Sequence, residues 1–596
     1  MLSALRHRGP DDEGAYEEQL YDGESLWFGH RRLSILDLSS AGHQPMQSMD
    51  GRLVICYNGE IYNYEEIKRD LEARGYEFRS RSDTEVILSA WDLWGEASIE
   101  RLRGMFAFAI WDKNQRVLWL ARDRLGEKPL YYTLQNNRLL FSSEIRSLLA
   151  SGVVERRLDS DGLDSYLAFG SVSQPYTLVK NIKSLEASHF LRFQNKSIKI
   201  HEYWSLKKIE ECTKTGVKEI IEKVRAVIDD SVRLCMVSDV PVGILLSGGV
   251  DSTAILSILH RQGYTNLNTF SVIFDGFGEE YSEEAWSNKA AHRFQSNHRK
   301  IRININNAYD LVDKALEAMD QPSYDGFNHF MVLNAVANSG FKVAITGQGA
   351  DELFGGYGRH ELYKLLSKLA GLSLSQGLLK NIQSLLQPIL PERAQLYKIL
   401  SIFNNGDPYV LGYITRHLIF NNEEICLLRA EKRPPQSRFV KREGGAHPLD
   451  ILYRLELSHY LRNTLLRDGD QMSMANSLEL RAPFVDYRLV ELIASIPFRY
   501  KSIPGRQKPL LVDAVNDNLV TEIAERPKVN FAIPLEKWFR GSHGNEDFGE
   551  DNNLLEKQEI KRLKKCFLDG EYFLKFWTIY VLLKWMKKMR MLPPND

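Results

Sequence analysis

Cysteine is scarce in this chain of 596 residues: the five at Cys56, Cys212, Cys235, Cys426 and Cys566 are scattered, with no CxxC pair and no metal-ligand spacing. That excludes a disulfide scaffold and a cysteine-held zinc site and suits a reducing compartment, so a cytoplasmic location is expected. Excess charge is also lacking, since 77 Lys and Arg face 78 Asp and Glu for a net charge of -1. No global positive field gathers nucleic acid, and none is expected as a partner. No apolar run reaches the ~20 residues of a membrane span. The most apolar late stretch, residues 573–586, is broken by Lys575 and Lys584. Its Phe573, Trp577 and Tyr580 recur at helical spacing and read as a core-packing terminal helix rather than an interfacial one. The start, MLSALRHRGPDDEG, carries charge where a secretory signal needs an apolar core.

What is present is the balance of an ordinary globular protein, 43% hydrophobic and 26% charged, long enough for two large domains at ~100–200 residues each. Residues 1–205 are strand-like, in short β-branched or aromatic runs such as RLVICYNGEIYN and GMFAFAIWD, with one helical pattern at residues 64–74. From about residue 215 the period changes to that of helices, interleaved with the buried strands VGILL, TFSVIF and KVAIT. The expectation is an α/β multidomain chain divided into 1–205 and 215–596, the second part built on a parallel sheet with crossover helices.

The stretch VGILLSGGVDSTAILSIL carries the clearest chemistry. A strand ends in Ser247-Gly248-Gly249-Val250-Asp251-Ser252 and an apolar helix follows, so loop amides and a helix N-terminus converge on one point, an anion site. Two glycines allow close approach to phosphate, Ser247 and Ser252 add hydroxyls, and Asp251 reads as a Mg²⁺ ligand. The lysine of the GxxxxGK[ST] phosphate loop is lacking. A second Gly-rich loop, Thr346-Gly347-Gln348-Gly349-Ala350-Asp351-Glu352, follows KVAIT, where a parallel sheet binds ligands, and makes Asp351 a second Mg²⁺ candidate.

SGGVDS resembles the pyrophosphate loop of N-type ATP pyrophosphatases. With TGQGADELFGGY (346–357), DQMSMANSLELRAPFVD (470–486) and RPKVNFAIPLEKW (526–538), it resembles the synthetase domain of glutamine-dependent asparagine synthetases. The segments HRGPD, RLSILDLSSAGHQPM, YNGEIYNY, SDTE and RDRLGEKPLYY resemble that family's class II glutamine amidotransferase domain, in the family's order. The resemblance implies an Ntn-hydrolase-like αββα sandwich, incomplete here, before the ATP pyrophosphatase domain. It implies a ligase for asparagine biosynthesis that adenylates a carboxylate with ATP and Mg²⁺, transfers ammonia and releases AMP and pyrophosphate.

Carried over residue by residue, it places Asn58 and the Gly59 amide in an oxyanion hole, in a tight turn after VICY. Arg32 falls on the glutamine carboxylate, and Glu60 and Asp83 on its ammonium. Leu246, Val272, Thr346 and Gly347 fall on the nucleotide beside the pyrophosphate loop, and Lys528 on phosphate charge. Gln348 stands where bacterial relatives have a Glu and cannot act as a base, so the acceptor is expected to be aspartate or another carboxylate. The partners implied are small molecules, namely glutamine or ammonia, ATP and the acceptor; a homodimer stays open. The family's nucleophile is a cysteine made N-terminal by Met removal. Here Leu2 follows Met1, so it is expected to be missing through a downstream start or a truncation. Cys56 reads as a small buried hydrophobe. Two alternatives stand beside this reading: an amidotransferase or cyclase of the same type, as in β-lactam synthetases and lasso-peptide cyclases, and a non-catalytic scaffold.

Overall fold

The computed structural model describes residues 1–20, 23–211, 216–275, 283–355, 407–431, 436–442, 444–445, 447–501, 503, 505–527, 535–536, 539 and 554–594. The first half carries strands β1 (Asp12–Gln19), β2 (Ser25–Arg32), β3 (Met46–Gln47), β4 (Leu53–Ile61), β5 (Gly104–Asp112), β6 (Val117–Arg122), β7 (Tyr131–Gln135), β8 (Arg138–Ser142), β9 (Lys183–Ser184), β10 (His189–Gln194) and β11 (Ser197–Glu202). Six form an antiparallel sheet in the order β11-β10-β6-β5-β4-β3. The others form the separate pieces β1-β2 and β8-β7-β9.

Strand alternation sorts the residues of β4 and β5. Ile55, Tyr57, Phe106, Phe108 and Ile110 face the helices Tyr64–Glu72 and Asp83–Trp94, whereas Val54, Cys56, Ala107, Ala109 and Trp111 face Phe28 and Leu130 of the second β layer. The helix Ile145–Ala150 follows β8 and packs beside Leu2–Leu5, completing an αββα sandwich whose second sheet is in two pieces.

The second half carries β12 (Val242–Leu245), β13 (Asn268–Asp275), β14 (Asn297–Asn304), β15 (Val343–Ile345) and β16 (Glu479–Arg481), parallel throughout in the order β14-β13-β12-β15-β16. The terminal helix Phe573–Met589 buries Phe576, Trp577, Tyr580 and Trp585. Its indoles donate to the carbonyls of Tyr324 and Asp320, both at 2.9 Å. It is a core helix, as its spacing predicts. Among the described residues no helix is long and apolar enough to cross a membrane. The apolar cluster around it also takes in Leu163, Tyr166 and Leu167 of the helix Ser160–Phe169 in the first half, so one core runs through both halves.

Two predictions of local structure fail. Asn58-Gly59 is not a tight turn: both residues lie within β4, paired to Ala107 and Phe106. The first half also holds more helix than the one expected, including Asp83–Trp94 and Ser160–Phe169. Both are buried nearly all round, which erases the polar face that makes helical periodicity visible.

His459 is buried, with Nε2 3.0 Å from Ser173 Oγ, and burial pushes its pKa down to about 4. The folded state holds this ring neutral while the unfolded chain protonates it below about pH 6.5, so its contribution to stability is lost as pH falls from there toward 4. Between about pH 7 and pH 5 this one residue should cost about 2 kcal/mol. Denaturant unfolding of the His459→Asn chain should show a correspondingly smaller acid loss; an identical loss in both chains would refute the assignment.

Candidate active sites

In the second half, β12 is flanked by β13 on one side and β15 on the other, so the chain reverses its direction of winding there and the loops at the carboxyl ends of β12 and β15 open a crevice. The loop after β12 is preformed by its own hydroxyls. Ser247 N donates to Ser252 Oγ at 3.2 Å, Gly249 N to Ser247 Oγ at 3.2 Å, and the two hydroxyls lie 3.1 Å apart. Gly248 has φ +84°, and a Cβ on it would meet Ser287 N at 2.7 Å. Leu246 is buried, its N–H donating to Phe270 O at 2.8 Å. The helix Val250–Arg261 starts at this loop and aims its N-terminus there, which favours an anion. In the loop after β15, Thr346 N donates to Arg481 O at 2.9 Å. A Cβ on Gly347 would meet Asp251 Cβ at 2.7 Å, so the two loops touch. Val272 lies along β13 opposite Ile301.

Across this crevice stands a residue the motifs did not reveal. Lys508 is 2% exposed, with Nζ 2.5 Å from Asp251 Oδ1 and 2.8 Å from Asp351 Oδ1. Burial lowers its pKa, and the two carboxylates more than offset this, holding the ammonium above its usual range. It sits at φ +44° before Pro509, at the head of the helix Pro509–Val515. GRQKP has no chemical spacing, and a lone lysine reads as solvated; only the fold identifies it. Lys528, the lysine picked from the motif, lies outside the described residues. The expected Mg²⁺ ligands Asp251 and Asp351 are brought together, each about one-fifth exposed, at the Lys508 ammonium. Hard carboxylate oxygens converging on one positive centre fit Mg²⁺.

Gln348 turns its amide nitrogen to a main-chain carbonyl and a ring nitrogen. Nε2 donates to Leu465 O at 2.6 Å, at the end of the π-helical stretch Glu456–Leu465, and lies 3.4 Å from His329 Nε2.

In the first half, Arg32, Asn58, Gly59, Glu60 and Asp83 all line one cavity of about 1600 Å³. Gly59 has φ +149°, and a Cβ on it would meet Met105 O at 2.0 Å, so only glycine keeps β4 against β5 here. Asn58 Nδ2 is buried with no hydrogen-bond partner among the described residues, an orphan donor that calls for an acceptor. Arg32 donates to the carbonyls of Leu36, Asp37 and Ser39. Burial pushes the Asp83 carboxyl up to about 6, against hydrogen bonds from Ile61 N and Tyr57 Oη. Glu60 is raised as well, by burial and by the charge of Glu479. Two buried carboxyls held high would gain from a cationic ligand. The Cys56 thiol is raised by burial alone and points to Gly29 O at 3.8 Å, the setting of an unreactive buried cysteine.

Residues 1–204 match the family "Glutamine amidotransferase domain" and residues 223–586 the family "Asparagine synthase". The chain is 32% identical to asparagine synthetase (glutamine-hydrolyzing) 1 of Bacillus subtilis strain 168, over 98% of this chain and 92% of that protein. It belongs to the glutamine-hydrolysing asparagine synthetase family. Asparagine synthetase (glutamine-hydrolyzing) 3 of the same organism is 32% identical over 94% of this chain and 89% of its own length. Amidase chry2 of Gibberella zeae is 27% identical over 90% and 85%.

In this asparagine synthetase relative the two cavities are joined by buried charge. Arg481, fully buried on β16, reaches Glu60 Oε1 at 3.4 Å and Glu479 at 2.8 Å. Lys128 lies 3.9 Å from Glu479 and 3.4 Å from Asp470, and Arg8 lies 2.9 Å from Asp470 and 3.2 Å from Glu144.

Lys508→Met should leave Asp251 and Asp351 facing each other without their shared cation. The expected loss of stability is roughly 1–3 kcal/mol, below the ~3–5 of a fully buried pair because both carboxylates reach water. Mg²⁺ should raise the melting temperature of this variant more than that of the parent. No difference in the Mg²⁺ response would show that the two carboxylates do not form one cation site.

Proposed function

We propose that the second half activates a carboxylate, aspartate in the first instance, by adenylation, and that ammonia then converts it to the amide. The observation that carries this is Lys508 clamped between Asp251 and Asp351 beside a hydroxyl-lined loop at the switch point of a parallel sheet. Ser247, Gly248, Gly249 and Ser252 cradle the pyrophosphate end of ATP, and Leu246, Val272, Thr346 and Gly347 take the remainder of the nucleotide. Lys508 draws off negative charge as a carboxylate oxygen attacks the α-phosphorus and the bond to the β-phosphate breaks, a role the family resemblance gave to Lys528. Asp251 and Asp351 would hold Mg²⁺, whose chemistry when bound is to neutralise the pyrophosphate charge. A lysine and a helix N-terminus preorganised toward developing negative charge stabilise the transition state more than the ground state.

In the first half Arg32 holds the carboxylate of glutamine and Glu60 and Asp83 its ammonium, with Asn58 Nδ2 and the Gly59 amide facing the tetrahedral oxyanion. A different acceptor carboxylate is a second reading, favoured by Gln348 in place of a Glu and by the likeness to a protein named as an amidase.

With ATP, Mg²⁺, aspartate and ammonia the chain should form asparagine and release pyrophosphate, not orthophosphate, and Lys508→Met should lower the rate ~10²–10³-fold. Lys508→Met with parental activity would sink the charge-clamp assignment; pyrophosphate release that ignores aspartate would point to the second reading. Glutamine affinity, followed by titration calorimetry, should weaken as pH falls through about 6, where Asp83 takes a proton, and Asp83→Asn should flatten that dependence. An unchanged pH profile would remove Asp83 from the glutamine site.

A further inference from the structure

Forming an amide from ammonia leaves one proton to dispose of, and residue 348 is an amide with no basicity to receive it. The crevice nonetheless holds a base. His329 lies on the helix Gly326–Ala337, one turn after Asp325, with its side chain one-fifth exposed. Its Nε2 faces Gln348 Nε2 at 3.4 Å, while Nδ1 lies 3.4 Å from Asp325 O and 3.7 Å from Asp325 Oδ2. The Gln348 amide has two hydrogens; one goes to Leu465 O, and the other suits a bare His329 Nε2 at 3.4 Å. Assigned on these contacts, Nε2 accepts and Nδ1 carries the proton on the side of Asp325. A carboxylate behind Nδ1–H orients an imidazole and supports the charge it acquires.

Asp325 is itself fixed, accepting from Asn328 Nδ2 at 2.7 Å. The facing helix Leu466–Met474 brings Asp468, fully buried and paired to Arg467 at 3.1 Å, its carboxyl raised by burial against the charge of Arg467. The groups around the ring are thus two carboxyl groups, one of them shared with Arg467, and a neutral amide that faces Nε2.

We propose that His329, oriented by Asp325 and Gln348, is the base of the amide-forming step, in the place where a carboxylate at residue 348 would serve. This rests on the acyl-adenylate reading above. The ammonia lone pair attacks the acyl carbon and the C–N bond forms. The C–O bond to AMP breaks with its electron pair leaving on the phosphate oxygen; the Gln348 amide gives up its hydrogen bond to His329 Nε2, and one N–H proton passes to the lone pair so released. Gln348 is a positioning residue that sets the tautomer.

The test compares two half-reactions of the full chain with aspartate as the acceptor probe. His329→Asn should lower ammonia-dependent asparagine formation ~10²–10⁴-fold while aspartate-dependent exchange of pyrophosphate into ATP continues at the parental rate. Adding Gln348→Glu to that variant should restore part of the amide formation, since a carboxylate then stands beside the vacated ring position to take the proton of the incoming ammonia. Unchanged amide formation, or an equal loss of both half-reactions, would overturn the proposal. NMR of the histidine ring nitrogens, with His329 assigned by its Asn variant, should show Nδ1 protonated and Nε2 bare near neutral pH; a protonated Nε2 would overturn it independently of turnover. A parent chain without aspartate-dependent exchange would count against aspartate as acceptor, and the tautomer would still decide the case of His329.

Discussion

Arg481 ties the two halves into one machine. It is fully buried on the edge strand of the parallel sheet, donates to the carbonyls of Cys235 and Val237, and shares its charge between Glu479 and Glu60. Glu60 lines the cavity of the first half, while the Arg481 carbonyl receives Thr346 N–H at the crevice of the parallel sheet. A buried charge that loses one partner typically costs ~3–5 kcal/mol, so the alternation Glu60, Arg481, Glu479, Lys128, Asp470, Arg8 and Glu144 locks the relative placement of both cavities.

The crevice uses the same economy of charge. Lys508 pairs with Asp251 of one loop and Asp351 of the next from the head of the helix Pro509–Val515. Gly347 lets the loops close to contact, and Gly248 lets the first pass under Ser287. Removing either glycine's freedom would separate the hydroxyls from the carboxylates; removing the lysine would leave two like charges a few ångströms apart. The Lys508 ion pairs, the Ser247–Ser252 loop and the cluster of Asp325, His329 and Gln348 all depend on one sheet reversing its winding at β12.

Elements with strong local signals were legible in the sequence. VGILL, TFSVIF and KVAIT are β12, β13 and β15, because buried parallel strands are continuous apolar runs, and the helix expected after SGGVDS begins within it, at Val250. Strand β14, NHRKIRIN, was hidden by its charges, and β16 by its three-residue length. Asn58-Gly59 looked like a turn because the dipeptide is the commonest hairpin signal; tertiary pairing to β5 overrode it. Residues tied to a motif, such as Asp251 and Asp351, could be named, whereas Lys508 and His329 act through neighbours distant in sequence. Asp251 is 257 residues from Lys508, and Gln348 is 19 residues from His329. No spacing rule links them.

The central claim is that a carboxylate oxygen becomes bonded to the α-phosphorus of ATP. It is tested most directly by supplying aspartate with both side-chain carboxylate oxygens replaced by the heavy isotope, together with ATP, Mg²⁺ and ammonia, and weighing the nucleotide product. Adenylation predicts AMP carrying one heavy oxygen per amide formed and pyrophosphate carrying none. Heavy oxygen in orthophosphate beside ADP, or unlabelled AMP at full asparagine yield, would contradict it.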